Sequence, residues 1–107
     1  MIIESTYKSP RVTIDNGILN ITGVSVPPNS VDFYHPILEF VRHTESIIIN
    51  FKLKYFNVSS SCQFIKILKE IESKKSQVNW IYDNEDMLEA GKDLMYLAKI
   101  PFNFLPY

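Results

Sequence analysis

Few residues in this chain have the chemistry for a reaction, and their spacing assembles no known machinery. Nucleophilic catalysis needs a nucleophile beside a base that a third group orients. The only imidazoles are His35 and His43, eight residues apart on one predicted helix, too far for one turn of a shared metal site. They are better read as solvent-exposed or capping side chains. Cys62 is the only cysteine; it falls on or near the apolar face of a second predicted helix, where a buried thiol is expected to be inert packing. Asp83, Glu85, Asp86 and Glu89 form an acidic cluster, but it lacks the glycine and alternating ligands of a calcium loop and suits the first turn of a helix. Glycine-rich phosphate loops are absent. The sequence thus predicts no catalytic residue, no metal ligand and no cofactor.

The most informative polar run is Asn57-Val58-Ser59-Ser60-Ser61. It lies where a strand hands over to a helix, a place with free backbone N–H groups and a positive dipole end that would favour a phosphate on an exposed serine. The plainer role is an N-cap, in which one serine stabilises the helix by about 1 kcal/mol.

The elements around this junction follow from hydrophobic periodicity. Val12 and Ile14, then Leu19 and Ile21, alternate with polar residues on either side of Asp15-Asn16-Gly17, the pattern of a β-hairpin with a primed turn. Ile3 to Tyr7 is a candidate strand before it. Asn29 and Ser30 are good N-caps for a helix carrying Tyr34, Ile37, Leu38 and Val41 inward. Pro36 lies inside that helix, which predicts a distorted first turn or a start near His35. Ile47 to Phe56 is the strongest strand, with Ile47, Ile49, Phe51, Leu53 and Tyr55 on one face. A second helix buries Phe64, Ile65, Ile67, Leu68 and Ile71 and ends at the cationic Ser73-Lys74-Lys75-Ser76. Val78 to Tyr82 forms a strand, Asp83 to Asp86 opens a third helix, and Pro101 to Leu105 forms a last strand. Strand, helix, strand, helix and strand in succession imply right-handed crossovers. The fold class is therefore α/β, a mixed sheet with an N-terminal hairpin, a βαβαβ core and helices packed on the sheet.

Composition narrows the function. At 107 residues, 46% hydrophobic and 21% charged, the chain reads as one globular domain spanning residues 1–107. A net charge of −1 with interspersed signs offers no basic surface for nucleic acid. The N-terminus lacks a basic, then apolar, leader, and Ile47-Ile48-Ile49 is far short of a membrane span. A lone cysteine permits no internal disulfide, so a cytoplasmic address is expected.

Three stretches together resemble the SiaC family of regulatory phosphoproteins. They are Pro28-Asn29-Ser30 with Phe33-Tyr34-His35-Pro36-Ile37-Leu38; Leu53-Lys54-Tyr55-Phe56-Asn57-Val58-Ser59-Ser60-Ser61; and Trp80-Ile81-Tyr82-Asp83 with Glu85-Asp86-Met87-Leu88-Glu89-Ala90-Gly91, then Ile100-Pro101-Phe102. The resemblance implies a fold similar to the STAS domains of anti-sigma factor antagonists and a partner-switching circuit. In that family the unmodified protein binds and activates a diguanylate cyclase, a dedicated Ser/Thr kinase phosphorylates it, and a PP2C-type phosphatase restores it. It places the partner surface on Tyr55, Asn57, Val58, Ser59, Ser60 and Ser61. The family's phosphoacceptor is a threonine directly after the Tyr-hydrophobic-Asn element, where this chain has Val58. Ser59 and Ser60 are the candidate replacements. Two alternatives follow: a constitutive scaffold that has lost the acceptor, and a small-molecule sensor with a pocket lined by Trp80, Tyr82 and Phe102.

Overall fold

A computed structural model describes the whole chain, Met1–Tyr107. Its elements are β1 (Ile2–Ile3), β2 (Arg11–Asp15), β3 (Ile18–Ser25), α1 (Ser30–Arg42), β4 (Ser46–Phe56), α2 (Val58–Glu70), β5 (Lys75–Tyr82), α3 (Glu85–Ala98) and β6 (Phe102–Pro106). The strands form one six-stranded sheet in sequential order. The hairpin pairs antiparallel and β3 through β6 are all parallel. Asn16 and Gly17 both take positive φ, 51° and 76°, as a two-residue primed turn requires. The strand expected over Ile3 to Tyr7 is instead the two-residue β1, paired with Val12 and Thr13.

Three right-handed crossovers stepping the same way along the sheet put all three helices on one face. There α1 packs on α2 and α2 on α3. Phe51 at the centre of β4 meets Phe64 of α2 at 5.1 Å and Trp80 of β5 at 5.3 Å, centroid to centroid. Tyr34 of α1 joins edge-on to Phe64 at 5.4 Å. α2 buries Ser60, Gln63, Phe64, Ile67 and Leu68, and its C-cap Ile71 continues the same stripe. Cys62 lies off this stripe and is exposed, which corrects its expected burial.

The opposite sheet face carries a ladder of amides along one register row. Asn103 donates to Asn79 (3.1 Å), Asn79 to Asn50 (2.8 Å), Asn50 to Asn20 (2.9 Å) and Asn20 to Thr13 (3.1 Å). Each carboxamide satisfies its neighbour across the strand gap, so this face is held polar without a covering layer. The β6 edge has few N–H groups left for further pairing. Tyr107 donates to the Tyr82 carbonyl at 3.0 Å, so by alternation the outward amides are those of Phe102, Phe104 and Pro106. The Phe102 N–H is taken by Met95 Sδ at 3.4 Å and proline has none, which leaves Phe104 alone.

Several boundaries differ from expectation for local reasons. α1 runs unbroken through Pro36 because Asn29 caps it, its side chain accepting from Asp32 N at 3.1 Å. The carbonyl that Pro36 leaves unbonded is that of Asp32, itself an exposed residue. α2 stops at Glu70, and Lys75 and Ser76 belong to β5. Lys74 Nζ donates to the carbonyls of Arg42 (3.1 Å) and Thr44 (2.6 Å), so this cation serves the end of α1 rather than of α2. β6 begins after Pro101, at Phe102.

The register of β3 on β4 shifts between Gly23 and Val24: Leu53 faces Gly23 while Tyr55 faces Val24, leaving Lys54 as an extra residue. A bulge resets the alternation of side chains beyond it. Leu53 is buried, Lys54 and Tyr55 both point to solvent, and Phe56 turns in. Phe56 then meets Phe64 at 5.5 Å and Trp80 at 5.8 Å. Tyr55, expected on the buried face, is 58% exposed.

Candidate functional site

The parallel strands bring three strand-to-helix junctions to one end of the molecule. Each helix opens on an asparagine cap: Asn29 accepts from Asp32 N at 3.1 Å, Asn57 from Ser60 N at 2.9 Å, and Asn84 from Met87 N at 2.9 Å. The caps satisfy one orphan amide each and leave the positive helix ends gathered at this surface.

The middle junction separates the predicted site residues sharply. Val58, the first residue of α2, is 79% exposed, and with Tyr55 it leaves a large apolar side chain in water. Ser59 is exposed and donates to Ser30 Oγ of α1 at 3.0 Å. Val31, also exposed, adjoins that bridge. Ser61 turns back on its own helix, donating to the Val58 carbonyl at 2.7 Å. Asn57 is tied down by its cap bond and by its N–H on the Ser25 carbonyl, 3.2 Å. Ser60 differs from its neighbours: at 0% exposure its hydroxyl belongs to the interior and not to the surface expected of it.

That interior is a hydroxyl network joining three elements. Ser60 Oγ donates to the Ser25 carbonyl and accepts from Ser25 Oγ, both at 2.8 Å, and Ser25 Oγ lies 2.6 Å from the Tyr34 hydroxyl. No buried side-chain nitrogen or oxygen lacks a partner. Burial holds the Tyr34 phenol above the usual tyrosine range. Since the folded chain keeps Tyr34 neutral where the unfolded chain would ionise it, this contribution to stability is complete below about pH 10 and declines as pH rises further. Stability is expected to fall by up to about 1.4 kcal/mol per pH unit above pH 10 from this residue. Tyrosinate absorbance followed with circular dichroism checks it. One tyrosine should ionise only as the fold is lost, and Tyr34→Phe should flatten the slope.

Ser25 escaped the sequence reading, and Ser30 and Tyr34 were read there only as a helix cap and an inward-facing side chain, although a signal for their part in the network existed. The crossovers from β3 to α1 and from β4 to α2 are adjacent, so hydroxyls flanking Pro27-Pro28 had to lie near Asn57 to Ser60. A cleft of about 530 Å³ adjoins the junction, lined by Lys54, Tyr55, Phe56, Asn84, Asp86, Met87 and Ala90. Of the other candidate groups only Asp86 reaches it. His35 is exposed, and His43 Nδ1 lies 2.7 Å from the Glu39 carbonyl at the end of α1. Glu85 and Asp86 stand in the first turn of α3, and no cluster of three His, Cys, Asp or Glu side chains is close enough to hold a metal ion. The pocket imagined around Trp80, Tyr82 and Phe102 is filled: Trp80 and Phe102 are core residues, their rings stacked at 6.0 Å. No helix is long and apolar enough to cross a membrane.

Comparison with known proteins supplies what geometry alone does not. The profile of a family described as SiaC family regulatory phosphoprotein matches residues 3–107. No curated protein gives a sequence match. Among solved structures, a chain of the crystal structure of diguanylate cyclase SiaD in complex with its activator SiaC from Pseudomonas aeruginosa superposes with a TM-score of 0.92 at 23% identity, covering 100% of this chain and 99% of that one. Apo-SiaC from the same organism gives a TM-score of 0.88 at 22% identity, covering 98% and 97%. A further structure of SiaC of Pseudomonas aeruginosa gives 0.83 at 21%, covering 100% and 98%. At these identities the structural likeness concerns the fold.

Proposed function

Because the chain belongs to the SiaC family of regulatory phosphoproteins, we propose that it is a non-catalytic cytoplasmic protein that docks on a diguanylate cyclase and regulates it through the β4–α2 junction. The observation that carries this is the exposure of Val58 and Tyr55. The first turn of α2, where the family has its phosphoacceptor, presents an apolar surface that no part of the chain covers. Buried against a partner, two such side chains contribute about 1.5–3 kcal/mol each. Support also comes from the shared fold with a protein solved as the activator of a cyclase. A purified GGDEF-domain cyclase from the same genome should bind the chain and change its rate of product formation. An unchanged rate together with no binding would sink the proposal.

Regulation passes to Ser59. It is the surface hydroxyl next to Val58, whereas Ser60 is enclosed. Phosphate on Ser59 would end its bond to Ser30 and place about −1.5 to −2 of charge beside the apolar contact. At the N-terminus of α2 that charge is favourable for the folded chain, so the modification would act on the partner rather than on the fold. A Ser/Thr kinase would write it and a PP2C-type phosphatase would remove it. Co-expression with the kinase followed by mass spectrometry is expected to find one phosphate, on Ser59, and Val58→Thr is expected to add a second acceptor. An unmodified Ser59 with a modified Val58→Thr variant would instead favour a constitutive binder, as the missing hydroxyl at Val58 suggests.

A further inference from the structure

Two contacts fasten the first turn of α2 to the body of the protein, and they differ in kind. Ser59 meets Ser30 at the surface, within reach of water. Ser60 meets Ser25 in the interior, where both serines are at 0% exposure and Tyr34 is at 1%. Counting protons fixes the direction of the inner network, since each hydroxyl has one to give. The Ser60 proton lies on the Ser25 carbonyl and the Ser25 proton on Ser60 Oγ. Tyr34 must therefore donate to Ser25, across 2.6 Å. The Ser25 carbonyl also accepts the Asn57 N–H, so both of its lone pairs hold α2. The chain of bonds has a single arrangement.

We propose that Tyr34 is a positioning residue for the partner surface: its hydroxyl, acting through Ser25, holds Ser60 and thereby sets where the first turn of α2 presents Val58 and Ser59. This rests on the docking role of the junction proposed above. Tyr34 itself touches no partner, since its ring is enclosed between Phe33 and Phe64, with centroids 4.8 and 5.4 Å away. Tyr34→Phe keeps that ring packing and removes the one donor that completes Ser25.

The test compares Tyr34→Phe with Ile67→Val, a buried α2 position two turns on. The amides of Ser60 and Ser61, bonded to Asn57, should exchange about tenfold faster in Tyr34→Phe and near the normal rate in Ile67→Val. Affinity for the GGDEF-domain cyclase should fall about five- to tenfold in Tyr34→Phe alone, the loss of one hydrogen bond's worth of order. Equal effects from both variants would make Tyr34 merely structural and overturn the proposal. So would normal exchange and affinity in Tyr34→Phe while Val58→Asp loses binding, an outcome that leaves the docking role standing. Full binding by Val58→Asp would remove the docking role, and the positioning role with it.

Discussion

Val58→Asp is expected to weaken cyclase binding by about 100-fold while leaving the melting temperature unchanged or slightly higher. The two halves of this result have separate causes. Val58 is 79% exposed in the free chain, so its removal forfeits almost no packing. Aspartate at the first position of α2 faces the positive helix end, worth about 0.3–1 kcal/mol to the fold. In the complex the same carboxylate would have to leave water and enter an apolar contact without a partner cation, a penalty of about 2–5 kcal/mol. The variant therefore isolates binding from folding, which Ser60→Asp cannot do, because a carboxylate at that enclosed position would unfold the first turn of α2. Calorimetric titration of the cyclase against the wild-type and Val58→Asp chains checks the first half, and a thermal melt the second. Binding within twofold of wild type would place the partner elsewhere, with the amide ladder face the next surface to probe.

Much of the scaffold was legible because its signals are local. The Asn16-Gly17 turn, the alternation through Ile47, Ile49, Phe51 and Leu53, and the Asn29 cap are each written within a few consecutive residues, and each held, whereas α2 is capped by Asn57 rather than by the serine expected there. Alternation failed at Tyr55 because the bulge at Lys54 is a property of two strands, decided by how β4 meets Gly23 on β3. Gly23, at φ 111°, lies thirty residues upstream, and no pattern within β4 announces it. Lys74 was assigned to the wrong helix end for the same reason: its carbonyl partners belong to the end of α1.

The candidate site was legible as a place and not as a set of accessible groups. Family likeness pointed to positions 55 to 61, where hydroxyls are so dense that composition cannot rank them. Ser59 and Ser60 are adjacent and chemically identical, yet a 100° step around α2 turns one to water and the other into the core. Ser60 is tolerated there because Ser25 and Tyr34, far away in sequence, satisfy it completely. A helical wheel could have anticipated the outcome. Phe64, Ile67, Leu68 and Ile71 project back onto Ser60 and Gln63 at intervals of three and four, and the same stripe excludes Cys62.

Gly91→Ala is expected to lower the melting temperature by roughly 10 °C. A Cβ at this position would lie 2.4 Å from Trp80 Nε1, 2.5 Å from Cδ1 and 2.7 Å from Cε2, closer than any real contact. The indole has no freedom to retreat. It is 1% exposed, it packs against Phe51, Phe56 and Phe102, and its Nε1 donates to the Met87 carbonyl at 2.9 Å. Overpacking a filled core costs about 1–3 kcal/mol, and breaking the indole bond adds about 1 kcal/mol. Alanine returns up to about 1 kcal/mol through its helix propensity, so the net loss is about 1–3 kcal/mol, centred near 2 kcal/mol. For a domain of this length each kcal/mol moves the midpoint by about 4–8 °C. A double-mutant cycle assigns the cause. In a Trp80→Leu background the obstructing ring is gone, and Gly91→Ala should become neutral or stabilising. An equal loss in both backgrounds would show that α3 and β5 are forced apart for a reason other than the indole. A glycine in mid-helix, puzzling from sequence alone, is thus explained by the close approach it permits: α3 lies on the Trp80 ring with no side chain between.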